Sequence, residues 1–129
     1  FNLMPYLSSV ENVSLPLYLA GKGKKEAYVL AKESLHLVGL SNRLTHKPYE
    51  LSGGEQQRVA IARAIANKPE IIFADEPTGN LDTENSNRIM ELLISLQKES
   101  GFTIIMVTHN AEIGAMGDIQ LKMQDGILL

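Results

Sequence analysis

Two apolar runs of β-forming residues, Ile71-Ile72-Phe73-Ala74 and Thr103-Ile104-Ile105-Met106-Val107, stand on either side of one amphipathic stretch. That stretch, Glu84 to about Glu99, sets Ile89, Leu92, Leu93 and Leu96 at i, i+3, i+4 and i+7, the spacing of a helix with one apolar face. Thr83 is placed to cap it and Gly101 to close it. Strand, helix and strand in that order require a crossover, so the strands are expected to run parallel. Near-continuous apolar runs predict strands buried on both faces. A short helix from Asn110 to Met116, a third strand from Ile119 to Met123 and a turn at Asp125-Gly126 leading to Ile127-Leu128-Leu129 continue the pattern. The second half is therefore read as α/β with a mainly parallel sheet flanked by helices.

The first half is helical. Ser8-Ser9-Val10-Glu11 has the spacing of a capping box, and Val10, Val13 and Leu17 then share a face, with Pro16 expected to kink or loosen the helix. A second helix is expected from about Lys24 to Val38, with Ala27, Leu30, Ala31, Ser34, Leu35 and Val38 on one stripe and Gly39 ending it. Residues 41–50 read as a loop, and a third helix runs from about Gly54 to Asn67, where Pro69 prevents its continuing. Hydrophobic residues at 44 % and charged residues at 21 % suit an ordinary globular chain, one domain or part of a larger one. A net charge of −3 supplies no basic field for nucleic acid, and the absence of cysteine rules out disulfides and thiolate metal sites. No apolar run approaches the roughly 20 residues that cross a bilayer as a helix. The chain opens on FNLMPYL without Met or a secretory signal, as though cut from something longer.

Three pieces carry chemistry. Ile71-Ile72-Phe73-Ala74 ends in consecutive carboxylates, Asp75 and Glu76, at the carboxyl end of a strand, where open α/β sheets bind their ligands. Neighbouring residues leaving a strand point different ways, so one acid can face a metal ion while the other orients a water. His109 ends the second strand, which would bring it near Glu76 if the strands are neighbours. Leu51-Ser52-Gly53-Gly54-Glu55-Gln56-Gln57-Arg58 offers a hydroxyl and bare N–H groups ahead of a helix, a natural cradle for an anion. Each piece also has a plain explanation: a strand-to-turn boundary, a structural histidine, a capped flexible turn. His36 and His46 lack an acidic or glycine-rich setting and read as surface or packing residues.

The order and spacing of the three pieces resemble the ATP-binding subunit of ABC (ATP-binding cassette) transporters. LSGGEQQR resembles the family signature, IIFADE resembles Walker B with its following glutamate, GNLD resembles the D-loop, and His109 resembles the switch histidine. FNLMPYLSSVENVSLPL is similar to the segment after the family's Q-loop glutamine, and ADEPTGNLD to the branch containing lipoprotein-releasing, macrolide-export and cell-division ATPases. The resemblance implies a partial P-loop NTPase fold, with residues 1–68 as a helical signature subdomain and residues 69–129 as the C-terminal part of the RecA-like core. It implies ATP and Mg²⁺ as ligands, with Asp75 holding the metal, Glu76 polarising the attacking water and His109 contacting the γ-phosphate. Ser52, Gly53, Gly54 and Glu55 would serve a nucleotide held by a second subunit, and Asp82 would sit at that interface. Glu55 stands where the family more often has Gln.

The phosphate loop G-x-x-x-x-G-K-[ST] is not in the sequence; Gly21-Lys22-Gly23-Lys24-Lys25 lacks its ending and follows no strand. By the resemblance, the loop and its strand would precede Phe1, Thr103–Val107 would show an unpaired edge, and these residues alone would be inactive. A second nucleotide-binding subunit and a transmembrane permease are the implied partners, without nucleic acid. The implied location is cytoplasmic, on the inner face of the cell membrane. By the same analogy residues 1–40 dock the permease, with Phe1, Leu3, Met4 and Leu7 as candidate contacts that could equally be core. Two other readings stand beside this one: a non-catalytic truncated piece, and a DNA-repair or chromosome-organising ATPase. The latter family inserts a long coiled coil before the signature, where this chain shows short helices and no heptads.

Overall fold

The first helix, α1 (Ser9–Leu19), begins at a reciprocal cap. The Ser8 hydroxyl accepts the Glu11 N–H at 3.3 Å, and the Glu11 carboxylate accepts the Ser8 N–H at 2.7 Å. Pro16 has no N–H for the Asn12 carbonyl, yet α1 continues through it to Leu19. The computed structural model describes all of residues 1–129. Buried Asn12 ties down the chain ahead of α1: its amide donates to the carbonyls of Met4, Leu7 and Ser8, and its oxygen accepts the Met4 N–H. That clamp leaves Phe1, Met4 and Tyr6 exposed, whereas Leu3 is half-buried against the core and Leu7 is half-buried.

Helix α2 (Lys24–Leu37) and helix α3 (Gly53–Ile65) pack with α1 into a three-helix unit, joined by a loop containing one 3₁₀ turn at Pro48–Glu50. Val13, Leu17, Ala27, Ala31, Leu35, Val59 and Ala62 are wholly buried there, and the alanines let the helix backbones approach closely. Strand β1 (Ile71–Asp75) follows, then helix α4 (Thr83–Ser100) and strand β2 (Thr103–Val107). The strands pair in parallel, from Ile71 opposite Thr103 to Asp75 opposite Val107. Gly101 ends α4 at φ 76°, a left-handed turn that suits glycine. Thr83 is the first residue of α4 rather than its cap; Asp82 occupies the capping position.

Three expectations change. The strands are buried on one face only: Ile72 is buried and Ala74, Ile104 and Met106 are half-buried. On the opposite face Phe73 is 77 % and Val107 61 % exposed, with Ile71 and Ile105 also open. The apolar runs were compatible with two covered faces, but here the buried cluster meets the strands on the Ile72, Ile104 and Met106 side only. Residues 119–123 form no third parallel strand. Only Met123–Gln124 (β3) pairs, antiparallel, with Ile127–Leu128 (β4), through a turn with Asp125 at φ 50° and Gly126 at φ 78°. A strand needs a neighbour for its backbone groups, and residues 119–121 pair with no strand. The last helix, α5 (Ala111–Gly114), is shorter than read. The expected free edge of β2 is present, since β2 pairs only with β1.

Candidate functional site

Parallel pairing brings the polar ends of β1 and β2 together. Glu76 extends the ladder by one bond, its N–H donating to the Val107 carbonyl at 2.8 Å, and then leaves the strand direction at φ 44°. That left-handed conformation is costly for a residue with a Cβ, so the surroundings must impose it. They do so through the carboxylate. One oxygen lies 2.7 Å from the His109 Nδ1 and accepts the His109 N–H at 2.7 Å; the other accepts the Thr108 hydroxyl at 3.3 Å. The bond to the His109 ring, helped by the His109 N–H, holds the Glu76 carboxyl below the usual carboxylate range against the opposing effect of burial.

Asp75, one residue earlier, is exposed at the end of β1. No group of three or more His, Cys, Asp or Glu converges here. Asp75 can therefore hold a divalent cation only together with phosphate oxygens and water, which is the ordinary mode for magnesium. The turn after Glu76 is tight: the Gly79 N–H donates to the Glu76 carbonyl at 3.0 Å, and a Cβ on Gly79 would sit 3.4 Å from the Glu76 Cβ.

A second cluster forms at the start of α3. Ser52 caps the helix, accepting the Glu55 N–H at 3.2 Å, while the Glu55 carboxylate accepts the Ser52 N–H at 2.9 Å and the Arg43 Nε–H at 3.2 Å. The two glycines permit close approach by the first turn of α4 and the chain just ahead of it. A Cβ on Gly53 would meet Leu81 at 3.3 Å, and one on Gly54 would meet the Asn85 Oδ1 at 3.1 Å. Asn85 in turn donates to the Asp82 carboxylate at 2.5 Å, which joins Asp82 to the cluster. A polar cavity of about 220 Å³ opens beside it, lined by Ser52, Gly54, Glu55, Arg58, Asn85 and Arg88. Glu76 and His109 do not line that cavity. A larger groove of about 300 Å³, between Leu37, Ile65 and Phe102, holds none of the candidate residues.

The site residues thus fall into two groups, Asp75–Glu76–His109 and Ser52–Gly53–Gly54–Glu55–Asp82. His36 is exposed, bonded to the Ser41 hydroxyl, and His46 is half-buried, its carbonyl receiving the Ser9 N–H and hydroxyl. Thr108, Asn85 and Arg43 join the site without a motif to mark them in the sequence, and Gln57, though within the signature stretch, carries no sign there of its bond to Pro77. The first two were findable, Thr108 as the neighbour of His109 and Asn85 three places after Asp82. Nothing marked Arg43, because only the folded loop carries it to Glu55.

Glu55 gives the cluster a pH dependence. The Ser52 N–H, with Arg43 behind it, lowers its carboxyl below the ordinary value, and Ser8 does the same for Glu11. A carboxyl lowered on folding stabilises the fold in full above its unfolded pKa, and that stability disappears as pH falls through the lowered folded value. Glu55→Gln is accordingly expected to unfold at a lower temperature than wild type at neutral pH and to lose less on acidification. Thermal melts between neutral pH and the acid side of the carboxylate range check this; parallel curves would show that Glu55 contributes none of the pH dependence.

Comparison with known proteins gives concordant results. The family described as "ABC transporter" matches residues 1–79. The chain is 49 % identical over 125 residues to the lipoprotein-releasing system ATP-binding protein LolD of Syntrophus aciditrophicus, covering 97 % of this chain and 56 % of that protein. It is 53 % identical over 126 residues to an uncharacterized ABC transporter ATP-binding protein of Thermotoga maritima, covering 98 % and 53 %. Among solved structures, the dimeric post-hydrolysis state of the ATP-binding cassette MJ0796 bound to ADP and Pi matches with a TM-score of 0.81 at 44 % identity, covering 97 % of this chain and 56 % of that one. The chain spans about half the length of the curated relatives it matches.

Proposed function

This chain belongs to the ABC transporter family, with lipoprotein-releasing ATP-binding proteins among its relatives, and we propose that it carries two half-sites of an ATPase motor. The observation behind this reading is the meeting of Glu76 and His109 at the ends of adjacent parallel strands, 2.7 Å apart. Glu76 would orient the water that attacks the γ-phosphate of ATP. Its lowered carboxyl is ionised at neutral pH and accepts a hydrogen bond from that water readily. His109 would turn from Glu76 to the γ-phosphate and stabilise charge developing there. Asp75 would hold magnesium, which when bound neutralises charge on the phosphate chain.

The second half-site serves another subunit. Ser52 would offer its hydroxyl, and Gly53 and Gly54 their N–H groups at the positive end of α3, to the γ-phosphate of a nucleotide held by a partner. Glu55 would shape this end through its bonds to Ser52 and Arg43, and Asp82 would lie at the same interface. Residues 1–68 would then move as a helical signature unit and residues 69–129 as part of the nucleotide-binding core. Closure of two subunits on ATP would drive a permease docked on the exposed surface of Phe1, Met4 and Tyr6. The names of the relatives favour release or export over import. No helix is long and apolar enough to cross a membrane, and the implied place of the motor is the inner membrane face, against the permease.

The absence of G-x-x-x-x-G-K-[ST] from these residues favours a second reading, a non-catalytic interaction piece, and one experiment separates the two. A polypeptide of these 129 residues is expected to turn over ATP negligibly, while a complete cassette carrying the same sequence hydrolyses it. Robust turnover by the 129-residue polypeptide would overturn the division of labour proposed here. A complete cassette without ATPase activity would leave the interaction reading standing.

A further inference from the structure

We propose that Gln57 is a positioning residue that transmits the state of the signature helix to Glu76. The inference rests on the ATPase role of Glu76 argued above and adds how the two half-sites of one chain communicate. Gln57 lies on α3, four residues after Gly53, and its side-chain amide donates to the Pro77 carbonyl at 2.6 Å. This is the one hydrogen bond between residues 1–68 and residues 69–129. The remaining contact between these parts is chiefly α3 against α4, where apolar side chains can slide. A hydrogen bond is directional and cannot slide without breaking.

The acceptor is well placed to matter. Pro77 is buried and follows Glu76 directly. Its ring fixes its own φ and restricts the residue before it. Glu76 already sits at φ 44°, with its N–H held by Val107 and its carbonyl by Gly79. Displacing the Pro77 carbonyl therefore displaces the Glu76 backbone, which has no relaxed basin nearby to absorb the motion. On the far side of the same turn, the Ser86 hydroxyl of α4 contacts the Thr78 carbonyl at 3.4 Å. The turn is thus held by α4 on one side and by Gln57 on the other.

Helix α3 moves as a unit over the single turn between Gly53-Gly54 and Gln57. A shift of its N-terminus on meeting a partner's phosphate is carried to Pro77, and so to the acid serving the chain's own nucleotide. Occupancy of one composite site then biases the geometry of the other, a coupling that runs in both directions.

The test uses a complete cassette carrying this sequence. Gln57→Met keeps the shape and removes the donor; it is expected to lower kcat about tenfold with KM for ATP unchanged. Gln57→Lys restores a donor and is expected to recover most of that loss. In a Glu76→Gln background, single-turnover rates with and without Gln57→Met are expected to coincide, because a residue acting through Glu76 has nothing left to position. Wild-type kcat in Gln57→Met, no recovery by Gln57→Lys, or a full tenfold loss persisting in the Glu76→Gln background would each overturn the proposal. Unchanged turnover in Glu76→Gln alone would instead remove the reading on which it rests.

Discussion

Glu76→Gln in a complete cassette carrying this sequence is expected to slow ATP turnover by a factor on the order of 10²–10⁴ while leaving ATP bound. The substitution is nearly isosteric, so the amide oxygen can still accept the His109 N–H at the position where the carboxylate oxygen does so at 2.7 Å. The left-handed backbone at residue 76 and the bond to the Val107 carbonyl also remain. What disappears is the negative charge, which in the proposed role aligns and polarises water; the amide oxygen can still accept from the His109 ring, but without the charge that strengthens that bond. A nucleotide that can be bound but not cleaved keeps both subunits closed on it, so a stable ATP-bound dimer should accumulate. Turnover and ATP-dependent dimerisation by size-exclusion chromatography measure the two halves of this outcome. Wild-type turnover would remove Glu76 from its role.

The second large effect belongs to the signature. Gly54→Val is expected to reduce turnover by about two orders of magnitude, the cost of misplacing groups around a reacting centre by roughly an ångström. A Cβ at this buried position already comes within 3.1 Å of the Asn85 Oδ1, and valine adds two methyl groups beyond it. Asn85 cannot give way freely, because it holds the Asp82 carboxylate at 2.5 Å. The helix start must therefore move away, carrying Ser52 and the N–H groups of residues 53 and 54 off the position proposed for the partner's phosphate.

The two variants together test whether the site is shared. A Gly54→Val subunit keeps its own Glu76, and a Glu76→Gln subunit keeps its own signature, so a mixed dimer contains one intact composite site. Mixing two inactive preparations is expected to restore about a quarter of wild-type turnover if dimers form at random and sites act independently. No recovery, with mixed dimers shown to form, would mean that each subunit uses its own signature.

Much of this is legible in the sequence. The Ser8–Glu11 spacing announced a capped helix start, and that cap is present. The apolar runs ending in Asp75-Glu76 and His109 announced parallel strands, and the two strands do pair in parallel, side by side. Local chemistry sufficed because caps depend on residues three apart and strand pairing on one crossover. Phe73 and Val107 were harder: an apolar strand looks the same in sequence whether one face or two are covered, and the covering layer is remote. Ile119–Met123 was misread for the same reason, since strand propensity without a neighbouring ladder does not make a strand.

The sequence by itself determined the family, the helix starts and which residues are chemically able, because short-range rules and a specific motif set govern them. Only the tertiary structure decided that Glu76 adopts a left-handed backbone within reach of His109 and Thr108, that Gly54 faces Asn85, and that Gln57 spans to Pro77. Those contacts join residues up to 33 positions apart. Their geometry depends on how α3, α4 and two strands pack, which no local pattern encodes.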